Sequence, residues 1–336
     1  MTLTGGAGPV ADVVPRRLTA EHDPADRLFH GVARTVGLLV LCLTAAIGLF
    51  LGYQAIPTLH HYGLHFFTQT QWQPELNKIG IAAVLVGTIE VALVAMVVSF
   101  PLALGLALFI SDYAPVRIKS WLVSIVDLMA AVPSIIYGIW AFFLLEPHAI
   151  TVARWLSEYL SFIPIFRVDT DPHAAIWQQS EYTGSVFIAG LTVAMMATPL
   201  ACAVMRGVFD QTPAGEREAA MALGGTRWGG ARTVVFPFAK GGIIGGTMLA
   251  LGRALGETAA VLIIVAPDFI IKDRILQTGA QTISELIAAD FGNSTPEQLK
   301  ALLTAGFVLF VITLIVNTVA ATIIRRSRNA ATAAGV

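Results

Sequence analysis

Long apolar runs separated by shorter polar segments set the pattern of this chain. A helix needs about 20 apolar residues to cross a bilayer. Six runs reach that length, at about residues 32–53, 79–110, 121–145, 183–205, 241–266 and 301–324. The pattern predicts an all-α polytopic membrane protein with six transmembrane helices within a membrane domain of residues 28–328.

The two ends of the chain differ from this domain. Residues 1–27 are rich in Gly, Ala, Pro and charge and show no apolar periodicity, which predicts a disordered tail. A second, shorter tail is expected at residues 329–336. Composition agrees with a membrane protein, because only 13% of residues are charged, against about 25% in soluble proteins.

Basic residues are distributed unequally between the two sides that six spans create. The segments on one side carry 14 Lys and Arg residues and those on the other carry 6. The positive-inside rule then predicts that both termini lie in the cytoplasm, together with the polar island Arg206–Pro237. The chain is therefore expected in the bacterial cytoplasmic (inner) membrane as a multi-pass protein.

The polar island Arg206–Pro237 carries its own helix signals. Thr212, with a proline after it, is typical of a helix start, and Gly224 is typical of a helix end. A second helical piece is predicted to begin at Thr226 and to stop near Pro237. We expect a helix, a glycine hinge and a second helix.

The same island resembles the EAA loop of ABC-importer permeases. The resemblance rests on the spacing of Glu218, Ala219, Ala220, Gly224 and Pro237, with conservative changes in the last part of the motif. It implies that residues 206–240 form a cytoplasmic loop that couples the membrane domain to an ATPase subunit. An ordinary cytoplasmic helical hairpin is the alternative.

Ionisable residues inside the apolar runs are the candidates for a site. Arg253 and Glu257 are four residues apart in the fifth run, which predicts that they share one helix face. A buried Arg costs roughly 2.5–3.5 kcal/mol on insertion scales, so it should face protein or water. Glu90 in the second run is a weaker candidate. An Arg–Glu ion pair that only locks helices together is the alternative.

The chemistry of this pair favours an oxyanion. The guanidinium fork of Arg253 suits bidentate contact with oxyanion oxygens. Glu257 would repel a fully deprotonated anion but accepts a hydrogen bond from a P–OH group. The pair therefore favours phosphate over sulfate.

Three segments resemble bacterial phosphate-importer permeases. They are Arg253–Thr258, which reads R-A-L-G-E-T, Asp112–Pro115 and Ala131–Trp140. The Tyr-Gly-x-Trp ending of the last segment favours the PstC type. The resemblance implies a type I ABC importer permease (MetI-like) fold, with Arg253 and Glu257 taking part in transport.

The resemblance also implies the partners. These are a homologous permease subunit of the PstA type, a dimeric ATPase of the PstB type, an external phosphate-binding protein of the PstS type and membrane lipid, with no nucleic acid. No G-x-x-x-x-G-K-[ST] segment occurs, so the chain is predicted to be a transport subunit without an ATP site of its own. No catalytic residue, cofactor or metal site is expected in this chain, and ATP and Mg²⁺ would be bound by the partner ATPase.

Three other functions fit parts of the sequence. A permease for sulfate or molybdate differs only in the oxyanion. An ion-coupled secondary transporter would show inverted repeats and carboxylates near the midplane; no convincing repeat is present, but Glu90 keeps this option open. A membrane sensor without transport is the third.

Overall fold

A computed structural model describes most of the 336-residue chain. The described residues are 24–73, 76, 78–168 and 181–333. Residues 1–23 of the predicted N-terminal tail and residues 334–336 of the C-terminal tail therefore lie outside the described residues. Residues 24–27 begin the first helix, so helical structure starts inside the predicted tail.

The described chain is built from helices and one small hairpin. The helices are α1 (Pro24–Tyr62), α2 (His65–Thr68), α3 (Ala82–Leu108), α4 (Val116–Ala131), α5 (Ser134–Trp140), α6 (Glu146–Tyr159), α7 (Val186–Phe209), α8 (Ala214–Ala222), α9 (Arg227–Gly230), α10 (Phe236–Leu255), α11 (Ala259–Ile264), α12 (Ile283–Asp290) and α13 (Pro296–Ala333). Two short strands, β1 (Trp72–Gln73) and β2 (Lys78–Ile79), pair antiparallel. Five-residue π-helical turns occupy Phe109–Tyr113, Ala141–Leu145 and Ala231–Val235.

Within the described residues, six helical segments are long and apolar enough to cross a membrane, as the sequence pattern predicts. Helices suit this environment because they satisfy every backbone polar group internally. The six segments are Leu28–Tyr62, Ala82–Tyr113, Ser134–Tyr159, Val186–Phe209, Arg227–Leu255 and Pro296–Ile324.

The third segment differs from the predicted span of residues 121–145. Helix α4 ends at Ala131, and α5 begins only at Ser134. Val132 is extended, with ψ 131°, because a residue before proline disfavours the α conformation. The apolar segment that follows Pro133 runs on to Tyr159, through residues that lie between the third and fourth predicted spans.

The fifth segment begins earlier and ends earlier than the predicted span of residues 241–266. It runs without interruption past Pro237, so the prediction that the helix stops there is wrong. The wide π turn Ala231–Val235 comes directly before α10, and proline is tolerated in the first turn of a helix. Helix α10 ends at Leu255, eleven residues before the predicted end of the span.

The structure divides into two units, residues 1–49 and residues 50–336. The described part of the first unit is the start of α1, whose apolar side chains are exposed. In the second unit α7 is the central helix, since 78% of its most apolar stretch is buried, against 33% for the α3 segment. Small residues allow close helix packing: a Cβ on Gly190 would come 2.5 Å from Val94.

Gly87 allows a similar close approach near the start of α3. A Cβ at Gly87 would lie 2.3 Å from the carbonyl oxygen of Gln281, so the Gly87→Ala variant must displace that backbone. Overpacking of this kind costs about 1–3 kcal/mol, and we expect a thermal midpoint several degrees lower for the purified protein in detergent. Gly105 on the same helix is the matched control, because nothing lies within 4 Å of its Cβ position. Equal midpoints for the Gly87→Ala and Gly105→Ala variants would contradict the expectation.

Candidate functional site

Arg253 lies in the last turn of α10 and is half-buried. Its Nε is buried without a hydrogen-bond partner, and its guanidinium forms no ion pair with any residue that the structure describes. Its positive charge is close enough to act on the hydroxyl group of Tyr137 in α5. Because buried donors without acceptors are costly, this guanidinium is suited to binding an anion.

Glu257 does not share a helical face with Arg253, so that prediction is wrong. Helix α10 ends at Leu255, and Gly256 takes the C-cap position with its N–H donated to the Gly252 carbonyl at 3.3 Å. Glu257 is buried in the short break before α11, where its Oε1 accepts a hydrogen bond from the N–H of Ala260 at 3.2 Å. The carboxylate therefore caps α11 and leaves Arg253 without an ion pair.

The short helix that follows this break packs against the short helix that follows a second break, at Val132 and Pro133. Helices α5 and α11 meet where Gly138 faces Ala260, and a Cβ on Gly138 would come 2.9 Å from the Ala260 Cα. The hydroxyl of Tyr137 donates to the Met129 carbonyl at 2.9 Å, at the end of α4. Backbone carbonyls freed at a helix break need partners inside a membrane protein, and this hydrogen bond supplies one.

Tyr137 is a candidate site residue that the sequence reasoning missed. The signal was present, because Pro133 predicts an interruption just before it and the surrounding segment carries the family resemblance. Arg253 is close enough for its charge to act on the Tyr137 hydroxyl. The junction of α4, α5, α10 and α11 therefore holds Arg253, Glu257 and Tyr137 in one region.

The third predicted residue, Glu90, lies elsewhere. It is half-buried in α3 and lines a small cavity with Asp268 and Lys272, which belong to the segment after α11. Lys272 is held by Asp268 at 2.7 Å and by the carbonyl oxygen of Thr278 at 2.7 Å. Neither Arg253 nor Glu257 lines this cavity, so the structure does not bring Glu90 into the arginine site.

Two buried acids were not anticipated from the sequence. Glu146, at the start of α6, accepts a hydrogen bond from the Gly184 N–H at 3.0 Å and so ties α6 to the start of α7. Glu285 in α12 is fully buried, and this burial raises its pKa to about 7. Both lie between predicted spans, where the hydrophobic pattern gave no sign of their burial.

Four of the five predicted coupling residues lie in or next to one helix, and the fifth, Pro237, lies in the first turn of α10. Helix α8 carries Glu218, Ala219 and Ala220, and Gly224 ends this part of the chain with a φ of +83°. The N–H of Gly224 donates to the Met221 carbonyl at 2.9 Å. The prediction that this glycine ends the helix is confirmed. The α9 helix then begins after Thr226, whose hydroxyl accepts from the Gly229 N–H and caps the helix as the sequence suggests.

Thr212 does not cap α8, so that prediction is wrong. Its N–H donates to the Phe209 carbonyl at 3.1 Å, which places its backbone in the turn that ends α7. Pro213 takes the N-cap position, and the Thr212 hydroxyl is buried without a partner among the described residues. Since α8 begins at Ala214, Thr212 lies one position before the N-cap residue, and its hydroxyl makes no capping hydrogen bond.

The surface around α8 exposes apolar side chains in a polar segment. Leu223 is 90% exposed and lies beside Met221, which is also exposed. An open groove runs between α8 and the π turn before α10 and is lined by Glu216, Ala220, Leu223, Gly225, Gly229, Gly230, Thr233 and Val234. Exposed apolar side chains beside an open groove favour an interaction surface here.

The chain was compared with known proteins. Residues 99–329 match the family described as "Binding-protein-dependent transport system inner membrane component". A curated relative from Mycobacterium bovis, named phosphate transport system permease protein PstC 2, is 36% identical over 299 residues, 88% of this chain and 90% of that protein. PstC from Xylella fastidiosa is 34% identical, covering 84% of this chain and 85% of the relative. A relative from Methanocaldococcus jannaschii, named probable phosphate transport system permease protein PstC, is 36% identical and covers 83% and 87%.

A solved structure supports the fold. A chain of the MetNI methionine ABC transporter in an inward-facing conformation aligns with a TM-score of 0.51 and 16% identity, over 76% of this chain and 99% of that one. The family consists of ABC importer permeases, which are multi-pass proteins of the cytoplasmic membrane and work with other permease and ATPase subunits. The predicted fold class, six helical spans in a type I importer permease, is therefore confirmed. This chain belongs to the family of binding-protein-dependent transport system inner membrane components, as a relative of the PstC permeases.

Proposed function

We propose that this chain is a permease subunit of an ATP-driven importer of inorganic phosphate, in which it forms half of the translocation pathway. The observation that carries the proposal is Arg253 at the α10 helix break, which is half-buried, has a buried Nε without a hydrogen-bond partner and forms no ion pair among the described residues. The relatives' names, which specify phosphate transport, support the choice of substrate. The guanidinium would contact phosphate oxygens through paired hydrogen bonds.

Glu257 would add selectivity for a protonated oxyanion. One carboxylate oxygen accepts the Ala260 N–H, and an ionised carboxylate offers about four acceptor positions in all. It therefore retains acceptors for a P–OH group, whereas sulfate at neutral pH carries no proton to donate. An unprotonated anion would meet only repulsion from this carboxylate.

The groove beside α8 would receive the ATPase. We infer that Glu218, Ala219, Ala220, Gly224 and Pro237 belong to the coupling element. The first four lie in α8 or at its end, beside the exposed Leu223, and Pro237 lies in the first turn of α10, directly after the π turn that lines the groove. ATP and Mg²⁺ would be bound by that partner, and this chain would carry no cofactor. The concentration of basic residues on one side favours cytoplasmic placement of this surface and of both termini.

The remaining partners follow from the same proposal. A homologous permease of the PstA type would complete the pathway, with a PstB-type ATPase dimer below it and a PstS-type binding protein outside. Closure of the ATPase would move α8, and the spans would then rock around a central path. Since the binding protein supplies the affinity, the arginine site needs to hold phosphate only briefly.

The test is oxyanion-dependent ATP hydrolysis by the assembled transporter. The chain is co-purified with its partners, placed in liposomes with the binding protein, and supplied with phosphate, sulfate or molybdate in turn. We expect phosphate to stimulate hydrolysis and uptake, with the other two near the unstimulated rate. Stimulation by sulfate or molybdate instead would assign a different oxyanion, and uptake that survives without ATP but requires a proton gradient would favour a secondary transporter.

A further inference from the structure

Helix α8 needs an anchor, because it is short and exposed. It has nine residues, and none of its side chains is fully buried. Isolated helices shorter than about 12–15 residues are only marginally stable in water, so contacts with other segments must hold α8 in place. Because no α8 side chain is fully buried, apolar packing contributes little to keeping the helix in place.

Arg217, in the middle of α8, makes the strongest polar contacts of the helix. Its Nη1 donates to Asp112 Oδ1, and its Nη2 donates to the carbonyl oxygen of Phe209. Asp112 lies in the π turn that follows α3, and Phe209 is the last residue of α7. One guanidinium therefore joins α8 to the ends of two long helices.

The Asp112–Arg217 pair differs from the neighbouring ion pair on the same surface. The Asp112 side chain is 12% exposed and that of Arg217 is 26% exposed, whereas Lys119 and Asp210, which pair at 3.0 Å, are 35% and 41% exposed. Exposed ion pairs contribute little because water and salt screen them. Charge-assisted hydrogen bonds in a more enclosed position are stronger and more directional.

An open cavity of about 150 Å³ lies directly beside this pair. Asp112 and Arg217 line it together with Met221 of α8 and with Ala231 and Val235 of the π turn that leads into α10. The covalent route from α8 to Arg253 passes through the hinge at Gly224, α9 and this π turn before it reaches α10. The polar contacts of Arg217 are more direct.

We propose that Asp112 and Arg217 are positioning residues that transmit the displacement of α8 to α3 and α7. This inference rests on the proposed function, in which the ATPase moves α8. Helices α3 and α7 form the tightly packed centre of the second unit, so a pull on their ends moves the centre as a body. The pair gives the coupling element a noncovalent route to the pathway beside the covalent one through α10.

The Asp112→Ala variant tests the inference without altering α8 itself. In the assembled transporter in liposomes, we expect substrate transported per ATP hydrolysed to fall about two- to tenfold, with an unchanged yield of complex. The Asp112→Ala/Arg217→Ala double variant should be no worse than the more affected single variant, because both changes remove one connection. Asp210→Ala, which breaks the exposed neighbouring pair, is the matched control and should keep the wild-type ratio.

A purely structural role predicts a different result. If the pair only stabilises the fold, its loss would lower the yield of complex, the uptake and the ATP hydrolysis together. The substrate transported per ATP hydrolysed would then stay unchanged, and that result would overturn the inference. The inference would also be overturned if Asp112→Ala transported as much substrate per ATP as the wild type. The same holds if Asp210→Ala lowered that ratio as much as Asp112→Ala does. If the complex transports another oxyanion, the ratio is measured with that substrate, so failure of the phosphate proposal remains distinguishable.

A distance measurement gives a readout that needs no substrate. Spin labels are attached to Gly215→Cys in α8 and Val116→Cys in α4, both exposed positions, after Cys42 and Cys202 are replaced. We expect a narrow distance distribution in the otherwise unchanged transporter and in Asp210→Ala, and a broad one in Asp112→Ala. An unchanged distribution in Asp112→Ala would show that the pair does not position α8.

Discussion

Replacing Arg253 with alanine is expected to abolish phosphate uptake while the transporter still assembles. The guanidinium is half-buried at the α10 break and has no ion-pair partner among the described residues, so its removal breaks no internal ion pair. A hydrogen bond to a charged group contributes about 1.5–3 kcal/mol, and losing a bidentate contact should lower uptake roughly 10- to 100-fold or more. Radiolabelled phosphate uptake into liposomes that contain the assembled complex measures the effect.

Arg253→Lys is the conservative comparison. Lysine keeps the charge but lacks the planar fork, so an intermediate rate is expected if the fork binds the anion. The alternative, that Arg253 only locks helices together, predicts reduced assembly and a lower thermal midpoint in Arg253→Ala. If Arg253→Ala took up phosphate at the wild-type rate, Arg253 would have no role in transport.

The number of spans was predictable from the sequence, but the helix breaks within and between them were only partly so. A chain must satisfy its backbone hydrogen bonds within the bilayer, so long apolar runs become helices wherever they occur. Pro133 signals a break because it constrains the residue before it. Gly256 carries no comparable signal, since glycines also occur throughout α10, and only the structure shows which one ends the helix.

The composition of the site was easier to predict than its geometry. Arg253 and Glu257 were identified because charges inside apolar runs are expensive. Their relation was predicted wrongly, because four-residue spacing implies a shared face only in an unbroken helix. The approach of Gly138 to Ala260, which brings the two broken helices together, joins residues more than a hundred positions apart and follows from packing rather than from local sequence.

The predicted coupling segment, residues 206–240, also combines features that local sequence predicts with contacts that it does not predict. Helix α8 and its glycine end follow from local signals, and the structure confirms both. The contact between Asp112 and Arg217 spans 105 positions, and sequence spacing gave no indication of it. Local chemistry therefore predicts the shape of the α8 segment, whereas only the tertiary structure shows which helices it contacts.

The Gly224→Val variant is expected to uncouple the transporter from its ATPase. Gly224 has a φ of +83°, a conformation that costs most L-residues about 1–2 kcal/mol and β-branched residues more. Valine should therefore rearrange the hinge between α8 and α9, which displaces the coupling surface from the ATPase. We expect substrate-stimulated ATP hydrolysis by the assembled complex to fall about tenfold, following from that strain.

Two further variants separate backbone strain from a general loss of the surface. Asparagine tolerates the left-handed conformation better than valine, so Gly224→Asn should retain much more stimulated hydrolysis than Gly224→Val. Gly215→Ala changes another glycine of α8 where nothing lies within 4 Å of the Cβ position, and it should behave as wild type. If valine and asparagine are equally harmful, strain at the hinge is not the cause. If Gly224→Val retains full stimulation, the hinge conformation is not needed for coupling.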